Sequence, residues 1–171
     1  MTMHVKDAGA WKEVAQPSVR DGGAWKAVQE GWVKDSGSWK QFYTAETVAL
    51  TDTDVLEFTI GGTATAGIIF GSDGQLSERQ GGSVTDTTGE WLDPVGDGSD
   101  YQVRATKTAG SDPTSGPALG TWHPLSTTRE WRNDRSTDGN TSSTLLCEIR
   151  KGTGSVLDSA SIKITADRSS L

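Results

Sequence analysis

The sequence predicts an all-β protein: an N-terminal array of three short β-hairpins followed by an antiparallel β-sandwich. Three observations lead there. A ten-residue pattern built around a turn signal occurs three times within the first 43 residues. From Thr47 onward, short runs rich in β-branched and aromatic residues alternate with clusters of Gly, Asp, Ser and Pro, as strands alternate with their turns. No segment carries a convincing apolar stripe at the 3.6-residue helical period.

The repeat comes first. Val5-Lys6-Asp7-Ala8-Gly9-Ala10-Trp11-Lys12-Glu13-Val14 returns as Val19-Arg20-Asp21-Gly22-Gly23-Ala24-Trp25-Lys26-Ala27-Val28, and again as Val33-Lys34-Asp35-Ser36-Gly37-Ser38-Trp39-Lys40-Gln41-Phe42. Equivalent positions lie 14 residues apart, and Val, Asp, Gly, Trp and Lys are identical in all three copies. A period this short is too small for helical repeats of about 34 residues, but it accommodates two short strands and their turns. Asp can hydrogen-bond backbone two residues on, and Gly can take the left-handed conformation that closes a hairpin. A three-residue loop closed by Gly9 would set Lys6 opposite Ala10 and Val5 opposite Trp11. Each Val–Trp pair (Val5/Trp11, Val19/Trp25, Val33/Trp39) would then share a face, with the Gly of each repeat at positive φ.

The composition changes after Tyr43, so the expected domains are 1–43, the hairpin array, and 44–171. In the second part the sequence predicts strands near Val48–Thr51, Val55–Ile60, Ala66–Phe70, Gly74–Glu78, Glu90–Leu92, Tyr101–Lys107, Gly120–Leu125, Arg129–Arg132, Ser143–Lys151 and Val156–Thr165. That many short strands over about 125 residues argue a sandwich of immunoglobulin type, with an ordinary β-barrel as the alternative. Its expected core is Phe58, Ile60, Ile69, Trp91, Tyr101, Val103, Trp122, Leu146 and Ile162.

Composition bounds the function. The chain has 171 residues, only 33% apolar, yet seven tryptophans and 21 glycines, a lean aromatic-anchored core rather than a disordered chain. A net charge of −7 argues against sequence-independent nucleic-acid binding and against anionic membrane surfaces. No apolar run approaches the ~18 residues of a membrane span, and Met1–Trp11 lacks the hydrophobic region of a signal peptide, so folding in a reducing cytosol is expected. One cysteine, Cys147, excludes an intramolecular disulfide and reads as a small buried side chain.

Catalytic and metal signatures are weak. Asp93, Asp97 and Asp100 miss the calcium-loop spacing and read as turn residues, as do Asp52 and Asp54. His4 and His123 have no partner at ligand or triad spacing. No G-x-S-x-G, Walker loop or H-E-x-x-H occurs. No cofactor or metal is expected. Carboxylate pairs converging from distant strands stay open as a hydrolase reading, without positive support. The sharpest surface candidates are the Trp-Lys dipeptides, Trp11-Lys12, Trp25-Lys26 and Trp39-Lys40. They read either as a sugar-stacking ladder with flanking cations or as hairpin anchors. The anchor reading is favoured because each indole offers ~150–250 Å² of burial and the repeats hold little else apolar. Trp32 and Phe42 join them as candidate assembly contacts.

The tandem V-[KR]-D-x-G-[AS]-W-K-x-[VF] units resemble hairpins found in minor tail and tail-fibre proteins of tailed bacteriophages and prophages, although Asp stands where a small or apolar residue is expected. Residues 66–74, 89–92, 100–106, 119–122, 147–150 and 156–160 resemble a small immunoglobulin-like domain of such proteins. The resemblance implies a non-enzymatic structural component of the virion, at the tail tip or in a fibre, assembled in the host cytoplasm. Its repeats would mediate contact with other virion tail proteins or homo-oligomerisation, a trimer first. A host-surface adhesin that binds glycan or protein and a capsid decoration protein are the alternatives. No nucleic-acid partner and no membrane insertion are expected.

Overall fold

A computed structural model describes residues 3–7, 9–14, 17–48, 50, 57–58, 64–81 and 83–168. Among these residues every regular element longer than a turn is a strand. The chain forms two compact units that divide between Glu46 and Thr47.

The first unit is three separate two-stranded sheets: β1 (Met3–Asp7) with β2 (Ala10–Val14), β3 (Ser18–Asp21) with β4 (Ala24–Ala27), and β5 (Glu30–Asp35) with β6 (Ser38–Thr44). Gly9, Gly23 and Gly37 share φ values of 86°, 85° and 89°, so one backbone conformation recurs at the third turn position of each repeat. The loop is shorter than the sequence reading, however. Asp7 pairs with Ala10, Asp21 with Ala24 and Asp35 with Ser38, leaving two residues in each connection. Gly22 and Ser36 also have positive φ, 58° and 51°. Two successive left-handed residues make the type I′ turn, whose twist matches that of the strands. The register therefore slips by one. Lys6, Arg20 and Lys34 oppose Trp11, Trp25 and Trp39, and the repeat valines oppose Lys12, Lys26 and Lys40. Since opposed residues share a face, valine and tryptophan lie on opposite faces, not the same one.

The second unit is a sandwich. One sheet runs β11 (Ser83–Glu90), β10 (Gln75–Gln80), β9 (Ala64–Phe70), β15 (Arg129–Arg135). The other runs β14 (His123–Pro124), β13 (Tyr101–Gly110), β16 (Gly139–Lys151), β17 (Val156–Arg168), β8 (Glu57–Phe58). All pairings are antiparallel except β17 with β8, and β7 (Thr47–Val48) pairs with β12 (Leu92–Asp93). With β9, β13, β15, β16 and β17 as strands B, C, E, F and G, B lies beside E and C–F–G run side by side as in an immunoglobulin sandwich, while β10 and β11, which follow B, stand where that fold has strand A.

Alternation sets the inner faces. Tyr101, Val103 and Ala105 of β13 meet Leu145, Cys147 and Ile149 of β16 and Ile162 and Ile164 of β17 across Ile68, Phe70 and Trp131. Trp131 stands edge-on to Phe70 at 6.0 Å, and Trp91 edge-on to Tyr101 at 5.4 Å. Each buried indole N–H is satisfied: Trp131 donates to Pro117 O at 3.0 Å and Trp91 to Gly71 O at 2.8 Å. Trp91, Tyr101, Val103 and Ile162 lie in the core as expected; Ile69 is buried but outside that cluster, because Ile68 and Phe70 hold the inner face of β9, and Ile60 and the Phe58 side chain lie outside the described residues.

Two more expected core residues are not there. Leu146 is half-buried on the outer face because Leu145 holds the inner register. Trp122 is likewise half-buried, stacked with the guanidinium groups of Arg104 and Arg150 at 4.6 and 4.2 Å. The strand expected at Gly120–Leu125 shrinks to His123–Pro124, and Trp122 leaves the core position to Trp131. Strand β11 went unpredicted because Ser83–Glu90 is almost wholly polar, as suits an edge strand.

Candidate functional site

The candidate assembly residues all lie in the first unit, and the structure leaves them open. Trp11, Trp25 and Trp39 are 70%, 72% and 66% exposed, and Trp32 and Phe42 are also exposed. The anchor reading is thereby corrected: within this chain the three repeat indoles bury little. The one-residue shift is the cause, because the residue opposite each indole is a basic side chain rather than a valine. Lys6 Nζ stands 6.0 Å from the Trp11 ring centre, at the outer limit of a cation–π contact.

The lysines after each tryptophan sit on the other face. Lys26 Nζ pairs with Asp21 and Lys40 Nζ with Asp35, each at 2.5 Å. Both pairs run diagonally within one hairpin, next to Val19 and Val33. Lys40, together with the Ser36 hydroxyl, holds the Asp35 carboxyl below its ordinary range. These pairs are well exposed and contribute little to stability; each sets a cation beside a carboxylate on the valine face. Lys12 is exposed. Each indole and the lysine that follows it therefore point to opposite faces of the hairpin. The cation that shares the indole face is the one preceding the repeat Asp.

The third hairpin carries an irregularity that the other two lack. Its register shifts between Gly31 and Trp32, so that Gly31 opposes Tyr43 and Trp32 opposes Gln41. Phe42 is the extra residue of this bulge, and its ring lies over Gly31, where a Cβ would fall 2.7 Å from the ring. Trp32 Nε1 donates to Glu30 Oε2 at 2.9 Å.

In the sandwich unit Asp100 lies in a turn and Asp93 at the end of β12. Asp97 Oδ1 accepts the Ser99 N–H at 2.9 Å, and Asp93 accepts the Thr47 hydroxyl through its backbone oxygen at 3.4 Å. Asp52 and Asp54 lie outside the described residues, as does the His4 side chain. His123 Nε2 is held by Ala118 O at 2.8 Å. Among the described residues no group of three or more His, Cys, Asp or Glu side chains is placed to hold a metal ion. Cys147 is fully buried, and burial, with Glu148 next to it, pushes its thiol up to about 12. A shallow depression of about 340 Å³ lies along Asp112–Pro117, with Leu119 and Trp131 in its wall. No protein-family model, curated protein or solved structure matches the chain.

Proposed function

We propose that this protein is a non-enzymatic structural component of a bacteriophage tail, whose hairpin array makes the assembly contacts. The observation that carries the reading is the triplicated exposed indole. Three tryptophans at equivalent positions, each at least 66% exposed, stand on hairpins that bury almost nothing of their own. Large indoles left in water are costly to solubility and are the residues that anchor protein contacts. A two-stranded hairpin is marginal by itself, so covering its faces would stabilise it. The resemblance of the repeats to tail-protein hairpins supplies the setting, the virion tail, and other tail proteins as partners. The alternatives from sequence are a host-surface adhesin, whose sandwich loops would recognise glycan or protein, and a capsid decoration protein.

The test is incorporation. Trp11→Ser, Trp25→Ser and Trp39→Ser combined in the full-length chain should leave the sandwich folded and abolish recovery of the protein with purified particles. Normal recovery of this variant in particles would refute the assembly role. Retained incorporation with lost adsorption to host cells would favour the adhesin.

A further inference from the structure

What recurs in the three hairpins is a pair: one exposed indole and one cation on the same face. Lys6 opposes Trp11, Arg20 opposes Trp25 and Lys34 opposes Trp39, and opposed residues share a face. The recurrence is selective. The position after the repeat valine is Lys, Arg, Lys, whereas the position two beyond the tryptophan is Glu13, Ala27, Gln41. Glu30 accepts the Trp32 N–H, and the second repeat has Gln16 in its place. Among the described residues no carboxylate forms an ion pair with Lys6, Arg20 or Lys34. The valine face differs, because Lys26 is held by Asp21 and Lys40 by Asp35. The second and third hairpins thus keep a matched ion pair on one side and an unmatched cation beside the indole on the other.

We propose that the indole faces dock on an acidic surface of a different tail protein, each indole covered by apolar side chains and each cation set against a carboxylate. This inference rests on the assembly role above and names the chemistry of the partner. Charge selects the occupant. In a second copy, Asp21 and Asp35 are already held by their own lysines, and indole face on indole face would set cation against cation, which like charge disfavours. Nucleic acid and anionic lipid are repelled by a chain of net charge −7. A carboxylate on another protein meets the opposite situation. Its attraction to Arg20 or Lys34 strengthens as the indole is covered and water leaves, while the valine face offers it only cations that already have anions. The area is adequate: three indoles, each at least 66% exposed, contribute roughly 300–500 Å² of the ~800 Å² each partner gives to a standard interface. Three equivalent stations on one chain also let contacts that are weak singly add up.

The test supplies full-length variants in trans to a phage whose own copy of the gene is disrupted, and counts the chain in purified particles. Two variants remove equal charge from opposite faces: Lys6→Gln, Arg20→Gln, Lys34→Gln from the indole face, and Lys12→Gln, Lys26→Gln, Lys40→Gln from the valine face. Occupancy should fall about tenfold or more in the first and stay within about twofold of wild type in the second. Equal losses would overturn the proposal, since net charge rather than the face would then decide. Undiminished occupancy of the indole-face variant would also overturn it. If the wild-type indole fluorescence then responds to polygalacturonate, the face belongs to an acidic glycan. Sedimentation of the purified chain adds one outcome: self-association that the indole-face variant loses would overturn the proposal in favour of a second copy. Should either triple variant lose its strand signal by circular dichroism, Arg20→Gln and Lys26→Gln, both confined to one hairpin, replace them. The first should lower occupancy about two- to threefold and the second leave it unchanged, and any other order would overturn the proposal. Absence of the wild-type chain from particles would overturn the assembly role and this proposal with it. A wild type present in particles with its indole-face variant undiminished removes the acidic partner alone.

Discussion

The two units use tryptophan in opposite ways. In the sandwich, Trp91 and Trp131 are fully buried, each with its N–H bonded to a backbone carbonyl and its ring edge-on to another aromatic. In the hairpin array, Trp11, Trp25 and Trp39 are at least 66% exposed. What separates them is the separation along the chain of the residues around them. Phe70 and Pro117 reach Trp131 from distant parts of the chain, and two sheets enclose it. A hairpin indole has only the few residues of its own two strands, and its opposite neighbour is a cation. The same side chain is therefore a core residue where the topology supplies a second layer and a contact residue where it does not.

That contrast sets the largest expected effect. Trp131→Ala should destabilise the sandwich by about 3–5 kcal/mol, whereas Trp25→Ala, measured on dilute protein, should stay within about 0.5 kcal/mol. Urea unfolding of both variants, with the transition of the sandwich followed separately, checks the pair. Equal costs would erase the distinction between the two units.

Alkaline pH sharpens it from the core side. Folding raises the Cys147 thiol from 9.0 to about 12, so between those values the native chain holds a proton that the unfolded chain has lost. Stability from this group is complete below pH 9 and declines as pH rises towards 12. Cys147→Ala should flatten the alkaline fall in stability, and in wild type a thiol reagent should label the residue only after unfolding.

A smaller loss is expected at Asn133, the fully buried amide of β15. It donates to Ile164 O at 2.9 Å and accepts the Ser143 hydroxyl at 3.1 Å. Asn133→Ala strands both partners and should cost about 1–3 kcal/mol by the same unfolding assay. A loss confined to one hairpin is expected at Gly37. Around Gly37 nothing lies within 4 Å of an added Cβ, yet its φ is +89°. Gly37→Ala therefore carries backbone strain alone, about 1–2 kcal/mol, confined to the third hairpin. The strand signal of a far-ultraviolet spectrum should fall slightly while the sandwich melts unchanged.

The all-β class, the three hairpins and the left-handed glycines were legible because each depends on residues close in sequence. The register was not. A glycine at positive φ closes both a two-residue and a three-residue loop, and the discriminating signal was the residue before it. Gly22-Gly23 is a type I′ dipeptide, and it settles the loop length for the other two repeats. The error moved every valine away from its tryptophan and turned expected anchors into exposed contacts. In the sandwich, Trp122 and Trp131 are both flanked by polar residues, and nothing local says which faces inward. Only the alternation Trp131-x-Asn133 continues through a strand paired along its length with β9, and that pairing is a property of the fold.

The type I′ turns have a consequence for how such a chain can change over generations. Each hairpin closes its own ladder within one period of 14 residues, and among the described residues no strand of one hairpin pairs with a strand of another. An in-frame duplication or loss of one period adds or removes a whole hairpin without altering the pairing of those that stay. The array is thus a length that replication slippage can adjust in unit steps, while the sandwich, whose neighbouring strands come from distant segments, admits no such step.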